Sequence, residues 1–206
     1  MGDSMKQTDT QIHARPDTGN DITRDVTRDV NTLSGTSTEM LIDMATDIPG
    51  FTLRFGSADD VDTILFFIRE LARYESLENE VVATAQTLRE TIFVQKHAEV
   101  VMAEYLGNPV GFMLFFHNYS TFLGQPGIYL EDLFLMPEVR KMGFGKKLLT
   151  FLARLAVARS CGRVEWACLD WNKPSRNFYE SFGSESKDEW IGYRLSGQAL
   201  IDLAET

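Results

Sequence analysis

The sequence predicts one α/β domain, a mixed sheet flanked by helices, behind a polar N-terminal extension. Three observations carry this. The composition changes near residue 51: residues 1–49 are rich in Thr and Asp and hold no Phe, Tyr or Trp, whereas aromatics are frequent beyond. Two apolar segments, 100–106 and 110–116, flank Gly107-Asn108-Pro109 and read as an antiparallel hairpin. From Ile128 onward the pattern alternates strand, helix, strand, helix, strand, the rhythm of a mixed α/β sheet. A chain of 206 residues suits one domain, and 44% hydrophobic residues are enough to fill its core.

Each element follows from local pattern. Residues 51–55, Phe-Thr-Leu-Arg-Phe, alternate as a half-buried strand does. Ser57 stands at an N-cap position, and Asp59 and Asp60 suit the positive end of the helix that follows. Val61, Ile64, Leu65, Ile68 and Leu71 form its apolar stripe, which ends near Tyr74. Thr84 opens a shorter helix through Leu88 and Ile92. After the hairpin, a Gln125-Pro126-Gly127 breaker precedes a strand over 128–136. A long helix is predicted over 143–160, with Leu148, Leu149, Leu152, Leu155 and Ala156 inward and Gly162 at a left-handed closing position. A strand over 163–169, a helix over 174–182 between Pro174 and Gly183, a strand over 190–195 and a helix over 198–204 complete the chain.

The extension, residues 1–50, is expected to be disordered or loosely attached. Thr23-Arg24-Asp25-Val26 is echoed by Thr27-Arg28-Asp29-Val30, and Ile22, Val26 and Val30 share a helical spacing, but Thr and Asp form helices poorly. The net charge of −10 argues against a nucleic-acid partner. No apolar run approaches the roughly 20 residues of a membrane span, and no cationic start followed by an apolar run opens the chain, so a cytoplasmic location is expected. Cys161 and Cys168 form neither a disulfide framework nor a metal pattern, and His13, His97 and His117 lie far apart, so no metal is expected.

The sharpest motif is Arg140-Lys141-Met142-Gly143-Phe144-Gly145, between a strand stopped near Pro137 and the longest amphipathic helix. The unpaired N–H groups of a helix's first turn, with its positive dipole end, attract an anionic phosphate. Glycines let a ligand approach the backbone closely, and Lys146 adds charge. The spacing is neither that of a nucleoside-triphosphate P-loop nor that of a dinucleotide fold.

This hexapeptide, after Tyr129-Leu130-Glu131-Asp132-Leu133-Phe134-Leu135, resembles motif A of the GCN5-related N-acetyltransferases (GNAT). Asp170-Trp171-Asn172-Lys173-Pro174-Ser175-Arg176-Asn177-Phe178-Tyr179 resembles motif B of that superfamily. The Leu-Glu-Asp and Trp-Asn-x-Pro-Ser runs are similar to the spermidine/spermine (diamine) and thialysine acetyltransferase branch, and Leu71-Ala72-Arg73-Tyr74-Glu75 to its substrate-side first helix. The resemblance covers about residues 51–204. It implies a mixed, mostly antiparallel sheet, a domain over 51–206, a homodimer with the last strand near its partner, and acetyl-CoA as cosubstrate. The implied acceptor is a primary amine of a small polyamine, diamine or thialysine-like molecule. A non-catalytic acyl-CoA sensor and a protein lysine or N-terminal acetyltransferase are the competing readings.

The chemistry asks specific things of these residues. An alkylammonium, with a pKa of about 10.4, must lose a proton before it attacks, a cost of about 4–5 kcal/mol at pH 7. By resemblance Glu131 is the base. In a regular strand Asp132 faces away from it, so the two act together only if a bulge intervenes. The resemblance assigns Tyr179 as the acid for the departing thiolate. It assigns main-chain groups of Leu133, Phe134 and Leu135 to the pantetheine arm, one N–H near Leu133 to the developing oxyanion, and Asn172 and Ser175 to further cofactor contacts. Tyr74, Glu75, Glu131 and Asp132 are the substrate-side candidates. The polyamine branch carries an acidic pair where this chain reads Trp190-Ile191-Gly192-Tyr193, which argues against a long polycation.

Overall fold

The computed structural model describes Met44 and residues 46–206. The stripe expected at Ile22, Val26 and Val30 lies outside the described residues. The described residues fall within one compact unit. Ordered packing begins upstream of Phe51: Met44 and Ile48 lie against the core, and Thr46 Oγ1 donates to Phe51 C=O at 2.6 Å.

Five strands form one sheet in the order β1 (Phe51–Phe55), β2 (Glu99–Tyr105), β3 (Asn108–Ser120), β4 (Gln125–Leu135), β5 (Val164–Trp166). The first three pairings are antiparallel and β4–β5 is parallel, the two strands being joined by a crossover through a helix. On one face lie α1 (Val61–Tyr74) and α2 (Ala85–Leu88, continued by a π turn over Arg89–Val94), packed through Ile64, Phe67 and Ile92 onto Met102, Phe112 and Phe134. On the other lies α3 (Phe144–Ala158), whose Leu148, Phe151, Leu152 and Leu155 meet Val101, Met113 and Phe115. α4 (Lys173–Glu180) follows β5, and α5 (Gly197–Ala204) ends the chain.

Caps act where the side chains foretell them. Ser57 and Asp60 form a reciprocal capping box before a 3-10 turn that leads into α1, and Thr84 and Thr87 do the same for α2. Gly183, at φ +82°, closes the segment after α4.

Five expectations are corrected. The β2–β3 turn is Leu106-Gly107, both at positive φ (51° and 79°), so Asn108 and Pro109 already belong to β3. Gln125-Pro126-Gly127 opens β4 instead of breaking the chain, and Gly127 is needed because a Cβ there would lie 2.4 Å from Asn118 Oδ1. After α3 the left-handed residue is Ser160 (φ 55°), with Cys161 N–H donating back to Ala156 C=O at 2.8 Å. Gly162 serves for space: its Cβ would meet Gln125 Oε1 at 2.7 Å. β5 is three residues long, not seven. Residues 190–195 form no strand, and Trp190, Ile191 and Tyr193 are 73%, 74% and 92% exposed. No described helix is long and apolar enough to cross a membrane.

Candidate active site

The site begins where two strands part. β4 pairs with β5 only at Ile128, Tyr129 and Leu130, then runs on to Leu135 with β3 as its sole strand neighbour. Along Glu131, Asp132, Leu133, Phe134 and Leu135, the edge that faced β5 has no strand partner and forms a notch, with Leu135 C=O taken by Arg140 Nε. An unpaired edge in that position can be extended by an elongated amide-bearing ligand.

At the head of the notch β4 is bulged. Leu114 opposes Asp132 while Phe115 opposes Leu130, leaving Glu131 as the extra residue. The bulge inverts the side-chain parity of the strand. Before it, Ile128 and Leu130 point into the α3-side core; after it, Leu133 and Leu135 do, and Phe134 turns to the α1 side. Asp132 thus shares the α1 face with Phe134, next to Glu75, the C-cap residue of α1.

This arrangement crowds carboxyl groups. Burial, reinforced by the charges of Glu131 and Glu75, pushes the Asp132 carboxyl up to about 6, from an ordinary value of 3.8. Burial also raises Glu75. Tyr129 is raised by burial and by the Glu131 and Glu165 charges. Glu131 itself is exposed. The crowded carboxyl groups make this mouth electronegative.

At the other end of the notch, Gly143 is the N-cap of α3 at φ +88°, a conformation that side-chain-bearing residues avoid. A Cβ there would touch only Ile48 Cδ1, at 3.4 Å, so the space above the turn is open. The first helical bond at this end runs from Lys147 N–H to Gly143 C=O (3.3 Å), which leaves the N–H groups of Phe144, Gly145 and Lys146 without helical acceptors. Gly145 is required by packing, since its Cβ would lie 3.1 Å from Phe178 Cζ on α4. Lys141 takes a left-handed φ of 66° and Met142 is exposed. The Phe144 side chain belongs to the core, stacked on Phe51 at 3.8 Å between centroids. Lys146 Nζ sits 5.9 Å from the Phe182 ring centroid. Arg140 turns inward: its Nε donates to Leu135 C=O (3.0 Å), and its guanidinium lies 4.9 Å from the Tyr74 ring centroid.

α4 brings the remaining residues. Tyr179 packs on Trp166 of β5, 4.9 Å between centroids, and burial, then the nearby Cys168 and Glu75, push its hydroxyl up to about 12. It is a neutral proton donor at physiological pH. Asn172, one of two buried polar residues in the described chain, caps α4, its Oδ1 accepting the Ser175 N–H (3.3 Å) and the Tyr74 hydroxyl (3.2 Å). Ser175 enters the site here through its backbone.

The structure therefore gathers Glu75, Glu131, Asp132 and Tyr179 around the head of the notch and sets the Arg140–Lys146 loop at its far end. Sequence reasoning missed Cys168 and Trp166, which surround Tyr179, and Phe178, which docks on Gly145. The last was foreseeable from two glycines, only one of which a tight turn needs. Among the described residues no group of three His, Cys, Asp or Glu is arranged to hold a metal ion.

Residues 65–183 match the family model "Acetyltransferase (GNAT) family", more than half of the chain. The chain belongs to the GNAT acetyltransferase family. It is 34% identical to a thialysine N-epsilon-acetyltransferase of Bos taurus, over 74% of this chain and 96% of that protein. It is 46% identical to an L-ornithine N5-acetyltransferase of Arabidopsis thaliana, over 54% of this chain and 46% of that protein, so the match spans about half of that relative. Among solved structures, an integron cassette protein from the mobile metagenome of V. cholerae superposes with a TM-score of 0.65 at 25% identity, over 76% of this chain and 99% of that one.

If the loop at Gly143 is this GNAT chain's phosphate cradle, Gly143→Val should weaken coenzyme A binding by at least about tenfold, since it cannot hold φ +88° without moving the donors. Titration calorimetry on the variant, with its thermal midpoint measured alongside, checks this. Unchanged affinity in a folded variant would refute the cradle.

Proposed function

We propose that this protein transfers acetyl from acetyl-CoA to a terminal primary amine of a small aliphatic acceptor bearing a second amine, of the ornithine, thialysine or diamine kind. The two substrates react directly in a ternary complex. The single observation that carries this reading is the convergence of Glu75, Glu131, Asp132 and Tyr179 at the head of an open strand edge that leads to a glycine-rich helix start. Relatives whose names specify the ornithine N5 and thialysine Nε amines support the acceptor class. A relative named for spermidine and spermine matches at 28% identity, and the polyamine branch's acidic pair is replaced here by Trp190-Ile191-Gly192-Tyr193.

The roles follow from charge and burial. The carboxylates draw in the ammonium and take its proton. The free amine then forms the C–N bond as the C–S bond breaks; Tyr179 protonates the departing thiolate, and the proton shed by the acylated nitrogen restores the phenol. Resemblance nominates Glu131 as proton acceptor, whereas the elevated carboxyl nominates Asp132, because a base works best with a pKa near the operating pH. We assign the proton's resting place to Asp132, whose buried carboxyl the Glu131 charge raises further, and the electrostatic draw to Glu131. Leu133, Phe134 and Leu135 offer main-chain groups to the pantetheine arm, and the first-turn N–H groups of α3 with Lys146 offer the phosphate site.

The rate should rise as pH increases through about 6, where Asp132 ionises. Asp132→Asn should abolish that limb and lower kcat about 10²-fold, with partial recovery at high pH where free amine is abundant. Tyr179→Phe should lose a similar factor without that recovery. Glu131→Gln should chiefly raise KM for the amine. Steady-state kinetics between pH 5 and pH 10 (roughly the span of the relevant groups) check all three. A full pH 6 limb in Asp132→Asn would return the base to Glu131.

We also propose a homodimer joined through the C-terminal segment. Its support is a run of apolar side chains that the rest of the described residues leave exposed: Trp190, Ile191, Tyr193, Leu195, Leu200, Ile201 and Leu203. Such contiguous exposure marks an interaction surface. Sedimentation at micromolar concentration should give a dimer, and Trp190→Glu with Tyr193→Glu should give a monomer. A monomeric wild type would contradict it.

A further inference from the structure

Tyr74 ends α1 on the acceptor side, and Asn172 begins α4 on the other side of the notch, 98 residues away in sequence. Their hydrogen bond spans the gap that the parting of β4 and β5 leaves. Asn172 is only 6% exposed, and its Oδ1 has two donors: the Ser175 N–H, which belongs to the helix cap, and the Tyr74 hydroxyl. Removing the hydroxyl leaves the buried oxygen with the Ser175 N–H alone, so the tie across the gap is lost while the helix cap is kept.

The surroundings of Tyr74 argue against its holding the acceptor's distal ammonium. Its hydroxyl is committed to Asn172. The guanidinium of Arg140 lies 4.9 Å from its ring centroid, and Trp171 leans on the ring at 6.0 Å. A second cation brought to that ring would meet Arg140's positive charge. Arg140 is itself fixed by the 3.0 Å bond from its Nε to Leu135 C=O. Tyr74 therefore connects three parts of the site: the cofactor loop through Arg140, the end of α1 beside Glu75, and the first residue of the helix that carries Tyr179.

We propose that Tyr74 is a positioning residue for Tyr179: its bond to Asn172 sets the N-terminus of α4, and α4 delivers the phenol to the reacting atoms. α4 is eight residues long, and Tyr179 stands near its far end, packed on Trp166. A helix this short moves as a rod, so a tilt at its first residue displaces the phenol at its last turn. The inference rests on the reading of Tyr179 as the acid, and the test separates the two.

The experiment is a double-mutant cycle on the full chain with acetyl-CoA and ornithine. Tyr74→Phe, which keeps the ring and its packing, should lower kcat about 5- to 10-fold while coenzyme A affinity and amine KM stay within about twofold. In a Tyr179→Phe background the same substitution should have no further effect on kcat, because the group it positions is gone. The pH profile gives a second readout. Cys168 and Glu75 face the Tyr179 phenol together with the Trp166 ring, and this enclosure keeps its proton on at alkaline pH. Wild type should hold its rate to pH 10, and Tyr74→Phe should fall with a midpoint near the ordinary tyrosine value of about 10. Equal losses in both backgrounds would overturn the inference alone, as would a raised amine KM with unchanged kcat. Full activity in Tyr179→Phe would overturn the acid assignment and this inference with it.

Discussion

Everything in the candidate site depends on how little of β5 is paired. Three residues hold it to β4, and beyond Leu130 the strands separate. Were the pairing to continue, the backbone of Leu133, Phe134 and Leu135 would be satisfied within the sheet, and no extended ligand could pair with it. The separation is stabilised from both ends. The β4–β5 pairing at the closed end is buttressed by Asn118 of β3, whose Nδ2 donates to Glu165 at 2.7 Å across Gly127. At the open end, the Tyr74–Asn172 bond joins the two sides. The notch is a gap with fixed walls.

The bulge at Glu131 adds the second requirement, charge inside a hydrophobic frame. Burying a carboxyl beside two others is unfavourable, and here the sign is clear. A folded-state value of about 6 against an ordinary 3.8 means that Asp132 favours the folded state below about pH 4. That contribution is lost as pH climbs through 6. At neutral pH the ionised group costs on the order of 3 kcal/mol, taking 1.36 kcal/mol per unit. A purely structural residue would be replaced here by an amide or an aliphatic side chain. An acid buried at such a cost is the kind of local conflict expected at functional sites.

Much of this was legible in the residues. Phe51–Phe55, the Ser57 cap, the end of α1 at Tyr74 and the Thr84 cap follow from alternation, helical spacing and short polar side chains, which act over a few residues. The motif at Arg140 announced an anion-ready helix start, and Gly143 carries the left-handed φ such a turn needs. What was not legible depended on distant partners. Ser160, not Gly162, takes the left-handed position, and Gly162 is needed because distant Gln125 and Leu123 fill the space where its Cβ would lie. Residues 190–195 alternate like a strand, but no neighbouring strand within the described residues pairs with them. The bulge had a faint signal. Two adjacent acids in an apolar strand must bury one carboxyl in any regular register, and the structure resolves this by adding a residue and turning Asp132 toward Glu75.

The bulged β4 encloses the Asp132 carboxyl among like charges on the α1 face. A carbon-13 NMR titration of the aspartate side-chain carboxyls, with Asp132 assigned by its loss in Asp132→Asn, measures this directly. The expected midpoint is about 6, displaced downward when Glu131 is replaced by Gln. A midpoint near 4 in the folded wild-type protein would contradict it.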